Sequence, residues 1–314
     1  MEQVAYQRGI RQLFRITAGN RPGTRLDQFL SDEINALSRT EARKIIDLGG
    51  VHINGRRVRT CSTNISAGGL VEIYTDGLPL EIFRLGEEHI LYRDKFLIVI
   101  NKPAGIETQP THSRYKGTLY DALLVMLGAA SGQKKVELGM VQRLDRGTSG
   151  AMVFSIHQHS HKGLSQIFLE HKVDKQYLAL VEKAPEPSFG EIRSMLARSH
   201  KYNRTVSVEH GGKDAVTRYQ TRQAAEKGAL LEVELLTGRS HQIRAHMSEA
   251  GSALLGDSLY GGAMSCAGIP LSRPLLHSCR LAFTHPISGE KLVFEPPVPA
   301  DMQRICSELF EGIS

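Results

Sequence analysis

The stretch Val141-Gln142-Arg143-Leu144-Asp145-Arg146-Gly147-Thr148-Ser149-Gly150 sets one carboxylate, Asp145, between two arginines, Arg143 and Arg146. A nearby cation favours the ionised form of an acid, which makes Asp145 a candidate nucleophile more than a proton donor. Taken alone, the same triplet also describes an ordinary surface ion pair ahead of a turn. A second chemically loaded stretch runs Thr237-Gly238-Arg239-Ser240-His241-Gln242-Ile243-Arg244-Ala245-His246. It follows an alternating strand, so Arg239 falls at a strand-to-helix corner, where a rigid scaffold can aim a guanidinium. Ser240 is placed to cap a helix reaching about Ala250, with Gly251 past its end and Arg244 and His246 along it. The alternating His157, His159 and His161 could in principle bind a metal. No carboxylate or cysteine stands at ligand spacing, so a solvated helix start is the reading, with no metal expected.

The elements that must position these residues read as follows. Phe96 to Ile100 is a fully apolar strand, Thr118 to Leu127 an amphipathic helix, and Ala151 to Ile156 a buried strand. A helix around His159 to His171 follows, then strands at Lys175–Val181, Ala215–Arg222 and Leu230–Leu236. Gly256 to Gly262 is a tight loop. Leu276 to Pro286 and Lys291 to Phe294 supply further strands, and Pro299 to Phe310 a closing helix. Strands outnumber helices without regular alternation, which predicts an α+β fold with a mixed sheet and not a doubly wound one.

Ahead of this region lies a small basic module. Leu26, Phe29, Leu30 and Ile34 share one helical face, and Ser38-Arg39-Thr40-Glu41 is a capping box opening a second helix that should stop at Gly49-Gly50. Asn54-Gly55 marks a hairpin, and Leu70 to Tyr74 another strand. Arg39, Arg43 and Lys44, with Arg56, Arg57 and Arg59, form a phosphate-tracking patch or an ordinary solvated face. The expected organisation is an N-terminal extension at 1–23, this module at 24–78, a linker at 79–89 and a larger domain at 90–314.

The 314 residues carry a net charge of +6, which favours a polyanionic partner, nucleic acid first. No apolar run is long enough to span a bilayer, and the first residues lack the apolar core of a signal peptide. Cys61, Cys266, Cys279 and Cys306 are scattered, as free thiols in a reducing cytosol would be, so a cytoplasmic protein is expected. No phosphate loop, dinucleotide fingerprint or zinc spacing occurs, and no cofactor is expected.

Laid out together, the blocks Lys102-Pro103-Ala104-Gly105, Arg143-Leu144-Asp145 with Thr148-Ser149-Gly150, Lys175 to Val181, Thr237 to His246, and Leu276-His277-Ser278 with His285-Pro286 resemble an RluA-type pseudouridine synthase. Residues 24 to 75 resemble the small S4-like RNA-binding module. One departure stands out: Gln142 occupies a position where the family usually has His. The resemblance implies that Asp145 is the catalytic nucleophile, that Arg239 pairs with it, and that Tyr177 stacks on the target uracil. It implies that Arg143 fills the space left by a flipped-out nucleotide. Arg244, like His241, His246 and His277, either contacts RNA or completes a hydrogen-bond network. The implied partner is RNA, 23S-type ribosomal RNA first, with no membrane and no obligate protein partner. Transfer RNA is the alternative substrate. Rival readings are a non-catalytic RNA-binding protein with a decayed synthase domain, and a hydrolase, which the absence of a nucleophile elbow or triad order disfavours.

Overall fold

A computed structural model describes residues 5–19, 23–131, 137–199 and 204–310. The chain divides into two compact units, Met1–Leu85 with Glu107–Lys134, and Gly86–Ile106 with Lys135–Ser314. These bounds differ from the expected ones in two places. The segment expected as an N-terminal extension carries β1 (Leu13–Thr17), which pairs with β4 (Leu70–Tyr74) along its whole length. Residues 1–4 and 20–22 of that segment lie outside the described residues. The segment 107–134, expected within the larger domain, groups with the small unit because buried Arg114 donates to Asp76 Oδ2 at 2.8 Å and to the Pro79 carbonyl at 2.8 Å.

The small unit continues with α1 (Leu26–Glu33), α2 (Arg39–Leu48), β2 (Val51–Ile53) and β3 (Arg56–Val58), in a sheet ordered β1-β4-β2-β3; α3 (Leu119–Ser131) also falls in this unit. The capping box forms: the Glu41 amide donates to Ser38 Oγ at 3.2 Å, and the Ser38 amide to Glu41 Oε2 at 3.3 Å. Such a cap is worth about 1 kcal/mol. Gly49 ends the helix in the left-handed region. Asn54 and Gly55 also take positive φ, the conformation a two-residue hairpin demands. Leu26, Phe29, Leu30 and Ile34 pack with Ala42, Ile45 and Ile46 over the sheet.

The second unit is one large sheet. Its strands are β5 (Ile90–Arg93), β6 (Leu97–Lys102), β7 (Gly139–Met140), β8 (Ser149–Ser155), β9 (Asp174–Val181), β10 (Phe189–Ser199), β11 (Arg204–Ser207), β12 (Lys213–Ala225), β13 (Gly228–Leu235), β16 (Leu276–Thr284) and β17 (Lys291–Phe294). The spatial order is β11-β10-β12-β13-β9-β16-β8-β6-β5, with β7 beside β8 and β17 beside β16. A separate small ribbon pairs β14 (Ser265–Cys266) with β15 (Ile269–Pro270). All pairings are antiparallel except β16 with β8, where His277 meets Ser149 and Ser278 meets Gly150. This is the mixed, mainly antiparallel α+β architecture. Every residue of β8 is buried, with α4 (Gln158–Leu169) contributing Leu164 to the core beside it. Met302, Ile305 and Leu309 of α6 (Ala300–Phe310) pack on Leu180, Leu255 and Leu275. The His-rich start of α4 is a cap: His157 Nδ1 accepts from the His159 amide at 3.2 Å.

Strands β5, β10 and β11 have no counterpart in the expected elements. Glu191, Arg193 and Arg198 interrupt the apolar residues of β10, which shows no clean buried face.

The parallel step between β8 and β16 depends on Gly150. Its φ is +117°, and a β-carbon there would lie 2.2 Å from the Ser278 carbonyl oxygen. That approach involves backbone and cannot be relieved by a rotamer change. Gly150→Ala should therefore cost about 2–4 kcal/mol of stability, read as a lower urea midpoint with unchanged slope. A midpoint equal to that of the parent would show that the two strands can move apart freely.

Candidate active site

Asp145 lies in the loop between β7 and β8, and that loop is gripped through its carbonyls. Lys102, fully buried at the end of β6, donates from Nζ to the carbonyls of Pro103 at 3.0 Å, Arg146 at 3.3 Å and Thr148 at 2.8 Å. The Gly105 amide donates to the Arg146 carbonyl at 2.8 Å. From the other side Arg273 donates through Nη1 to the Gly147 carbonyl at 3.0 Å, while its remaining nitrogens fork onto Asp301 at 2.6 and 2.7 Å. The Thr148 amide returns to the Asp145 carbonyl at 3.0 Å and closes the turn. A catalytic side chain needs such a fixed backbone to keep its aim.

The Asp145 carboxylate, 25% exposed, receives Arg244 Nη1 at 3.1 Å. Arg244 stands on α5 (Gln242–Glu249), and its other edge forks onto Asp257, which is 1% exposed, at 2.6 and 2.8 Å. One guanidinium thus bridges a buried carboxylate and a solvent-facing one. Burial pushes Arg244 down; the two carboxylates more than reverse this and hold it above its ordinary range. The Tyr260 ring covers the guanidinium, 5.0 Å from Cζ to centroid. His241 completes the surround, with Nε2 3.8 Å from Asp145 Oδ2 and Nδ1 3.1 Å from the Tyr260 hydroxyl. Burial lowers the His241 pKa against the pull of Asp145.

The expected pairing of Arg239 with Asp145 is corrected here: the partner is Arg244. The reason is the shape of the corner. Ser240 does not cap the helix; His241 does so in a left-handed conformation, at φ 55°, without a side-chain cap bond. Gln242 Oε1 instead accepts from the Arg239 amide at 3.0 Å, and Arg239 Nε donates to the Asp214 carbonyl at 2.9 Å. Arg244, one helical turn further on, therefore reaches the acid.

Tyr177 of β9 is 6% exposed and pairs in register with Ser278 of β16. Burial raises the phenol far above its ordinary range, and the Asp145 charge adds to that, so the ring is neutral. Arg143 is exposed and donates from Nη2 to Ser240 Oγ at 3.3 Å. His246 and His277 are fully buried and fill networks. His246 bonds Thr217 and Ser194 at 2.8 and 3.0 Å, and His277 bonds Ser149 at 2.9 Å.

Comparison with known proteins gives the family of the chain. The RNA pseudouridylate synthase family model matches residues 96–249, and the S4 domain model matches residues 24–71. The ribosomal large subunit pseudouridine synthase D of Zymomonas mobilis is 34% identical over 296 residues, spanning 90% of this chain and 92% of that protein. The protein of the same description from Xanthomonas campestris is 33% identical over 92% of this chain and 90% of its own length. The chain belongs to the RNA pseudouridylate synthase family. Among solved structures, human RNA pseudouridylate synthase domain containing 4 superposes with a TM-score of 0.58 at 26% identity, covering 71% of this chain and 93% of its own.

In the S4 domain of this synthase the basic residues fall into two groups. Arg39 and Arg43 converge with Arg25 on Asp27, which is fully buried, at 3.1, 2.7 and 3.1 Å. Burial opposes the charge on Asp27, but the guanidinium bonds overcome it and hold the acid far below its usual range. Each arginine donates through Nε and remains about half exposed. Arg57 and Arg59 lie over the Tyr115 ring, with centroid distances of 5.8 and 4.5 Å, while Lys44 and Arg56 are exposed. The sequence reading gave no role to Arg25 and Asp27, although Arg25-Leu26-Asp27 opens α1 and meets Arg39 and Arg43 of α2. It also missed Asp257 and Arg273, for which no local spacing carried a signal. Gln142 leaves its amide nitrogen buried without a partner among the described residues.

If the bridge positions the carboxylate, Arg244→Lys keeps the charge but loses the fork. It should slow pseudouridine formation in single turnover by about 100-fold or more, whereas Arg239→Lys, assayed at saturating RNA, should slow that step far less. Equal losses in the two variants would contradict the assignment of Arg244 as the partner of Asp145.

Proposed function

We propose that the chain isomerises specific uridines of structured RNA to pseudouridine, with large-subunit (23S) ribosomal RNA as its substrate and Asp145 as its nucleophile. The observation that carries this reading is the solvent-facing Asp145 carboxylate held by buried Arg244, in a site shared with buried Tyr177, within a chain of this family. The ribosomal substrate rests on the descriptions of the Zymomonas and Xanthomonas relatives and on the S4 domain, whose arginines suit a phosphate backbone.

The chemistry asks for little else. The C1′–N1 glycosidic bond breaks, the base turns, a C1′–C5 bond forms, N1 takes up a proton and C5 loses one. A carboxylate can carry or stabilise the positive sugar centre, as in glycoside hydrolysis. The target nucleotide leaves its stack to reach the acid, because a stacked base is inaccessible. Tyr177 then packs against the uracil, and Arg143, exposed beside Ser240, takes the vacated space in the RNA. No redox cofactor or metal is called for, and the cytoplasm is the compartment proposed for the enzyme. Among the described residues no helix is long and apolar enough to cross a membrane.

Asp145→Asn keeps the shape of the side chain and removes its charge. The variant should bind RNA as tightly as the parent, since cations elsewhere supply that affinity. Its release of tritium from uracil C5 of a labelled 23S transcript should fall below detection. Persistent release, after excluding deamidation, would identify another residue as nucleophile. Mapping pseudouridines in ribosomal and transfer RNA from a strain lacking the gene tests the substrate. The expected loss is in large-subunit ribosomal RNA, and losses confined to transfer RNA would reassign it.

A further inference from the structure

Lys175 and Arg239 are two cations brought together with no anion among the described residues to balance them. Lys175 lies on β9 two residues before Tyr177 and so on the same face of the sheet, the face of the Asp145 site. Its Nζ stands 4.0 Å from where a β-carbon of Gly238 would be, directly beside the corner that carries Arg239. Arg239 spends Nε on the Asp214 carbonyl. Among the described residues its terminal nitrogens form no hydrogen bond, and neither cation has a carboxylate within ion-pair distance. This contrasts with the rest of the sheet, where Arg193, Arg218 and Arg222 each sit on a carboxylate. Neither Lys175 nor Arg239 is fully exposed. Burial and the neighbouring Arg239 both push the Lys175 ammonium down, so the pair carries a standing electrostatic cost.

A bound anion would remove that cost. Ser240, the next residue along the corner, takes the Arg143 guanidinium, so the corner adjoins the Asp145 loop. We propose that Lys175 and Arg239 together bind one phosphodiester group of the RNA strand, the one next to the nucleotide presented to Asp145. This rests on the reading of the chain as an RNA-acting synthase. Arg239 supplies a planar fork for two phosphate oxygens, and Lys175 a point charge for a third contact. The subsite anchors the strand on one side of the flipped nucleotide while Tyr177 holds the base.

The test uses the full-length protein and a 23S ribosomal RNA transcript. Binding of that transcript is measured against potassium chloride concentration for the parent, Lys175→Met, Arg239→Met and the double variant. Thermal melting is recorded in parallel. The double variant should lose about 0.7 from the slope of log affinity against log salt, the share of one single-stranded phosphate. Lys175→Met should melt no lower than the parent, because it removes an unbalanced half-buried charge. Lys175→Arg should restore the slope. An unchanged slope in the double variant overturns the proposal, as does a fall in melting temperature with the slope intact, which marks a structural role. A loss of about 1.4 assigns the cations to separate phosphates and overturns the shared site. Tritium release by the parent is scored separately, so that an inactive parent counts against the proposed function and not against this subsite.

Discussion

The Asp257–Arg244–Asp145 bridge is the constraint on which the site depends. Removing a guanidinium from water costs several kcal/mol, and a buried ion pair recovers that only with well-made bonds on all sides. Here Asp257 takes two nitrogens of Arg244 in a bidentate contact inside the protein, and the Tyr260 ring covers the flat face. Only Nη1 is left to reach outward, and it meets Asp145. The direction of the acid is thus set by a carboxylate with almost no exposure of its own. Asp257 in turn follows Gly256, whose φ is +79° and where a β-carbon would overlap the Arg273 carbonyl. The same Arg273 holds the Asp145 loop from beneath.

Much of the remaining order comes from cations that bind backbone. Lys102 has three carbonyls around its ammonium, and Arg273 divides its donors between Asp301 and main-chain oxygens of the Asp145 loop and of β16. Full burial of a lysine is tolerated only when its donors are used. These contacts leave the turn from Asp145 to Thr148 little freedom, which suits the role of nucleophile proposed for Asp145. The S4 domain uses the reverse device, a buried carboxylate, Asp27, that spaces three exposed guanidiniums.

The legible parts of this protein were those with local causes. The capping box at Ser38, the hairpin at Asn54-Gly55 and the apolar strands β6 and β8 each follow from a few adjacent residues, whereas Asp145 gained weight only together with blocks further along the chain. What escaped was decided at a distance. Strand β1 is half exposed and gains its place by pairing with β4, more than fifty residues on, and by packing Phe14 and Ile16 on the core of the small unit. Strand β10 is masked by the exposed Glu191, Arg193 and Arg198 among its apolar residues. The pairing of Asp145 with Arg244 instead of Arg239 turned on the left-handed turn at His241 and on Gln242 capping the corner with its side chain. Neither carries a signature in residue spacing.

A double-mutant cycle in single-turnover pseudouridine formation addresses the bridge most directly, using Asp257→Asn, Arg244→Gln and the combination. If Asp257 acts on Asp145 only through Arg244, the effects cannot add, and the combined variant should be no slower than Arg244→Gln alone, within about threefold. Losses that multiply across the two positions would show that Asp257 and Arg244 serve the reaction separately, and the bridge would not be what aims the Asp145 carboxylate.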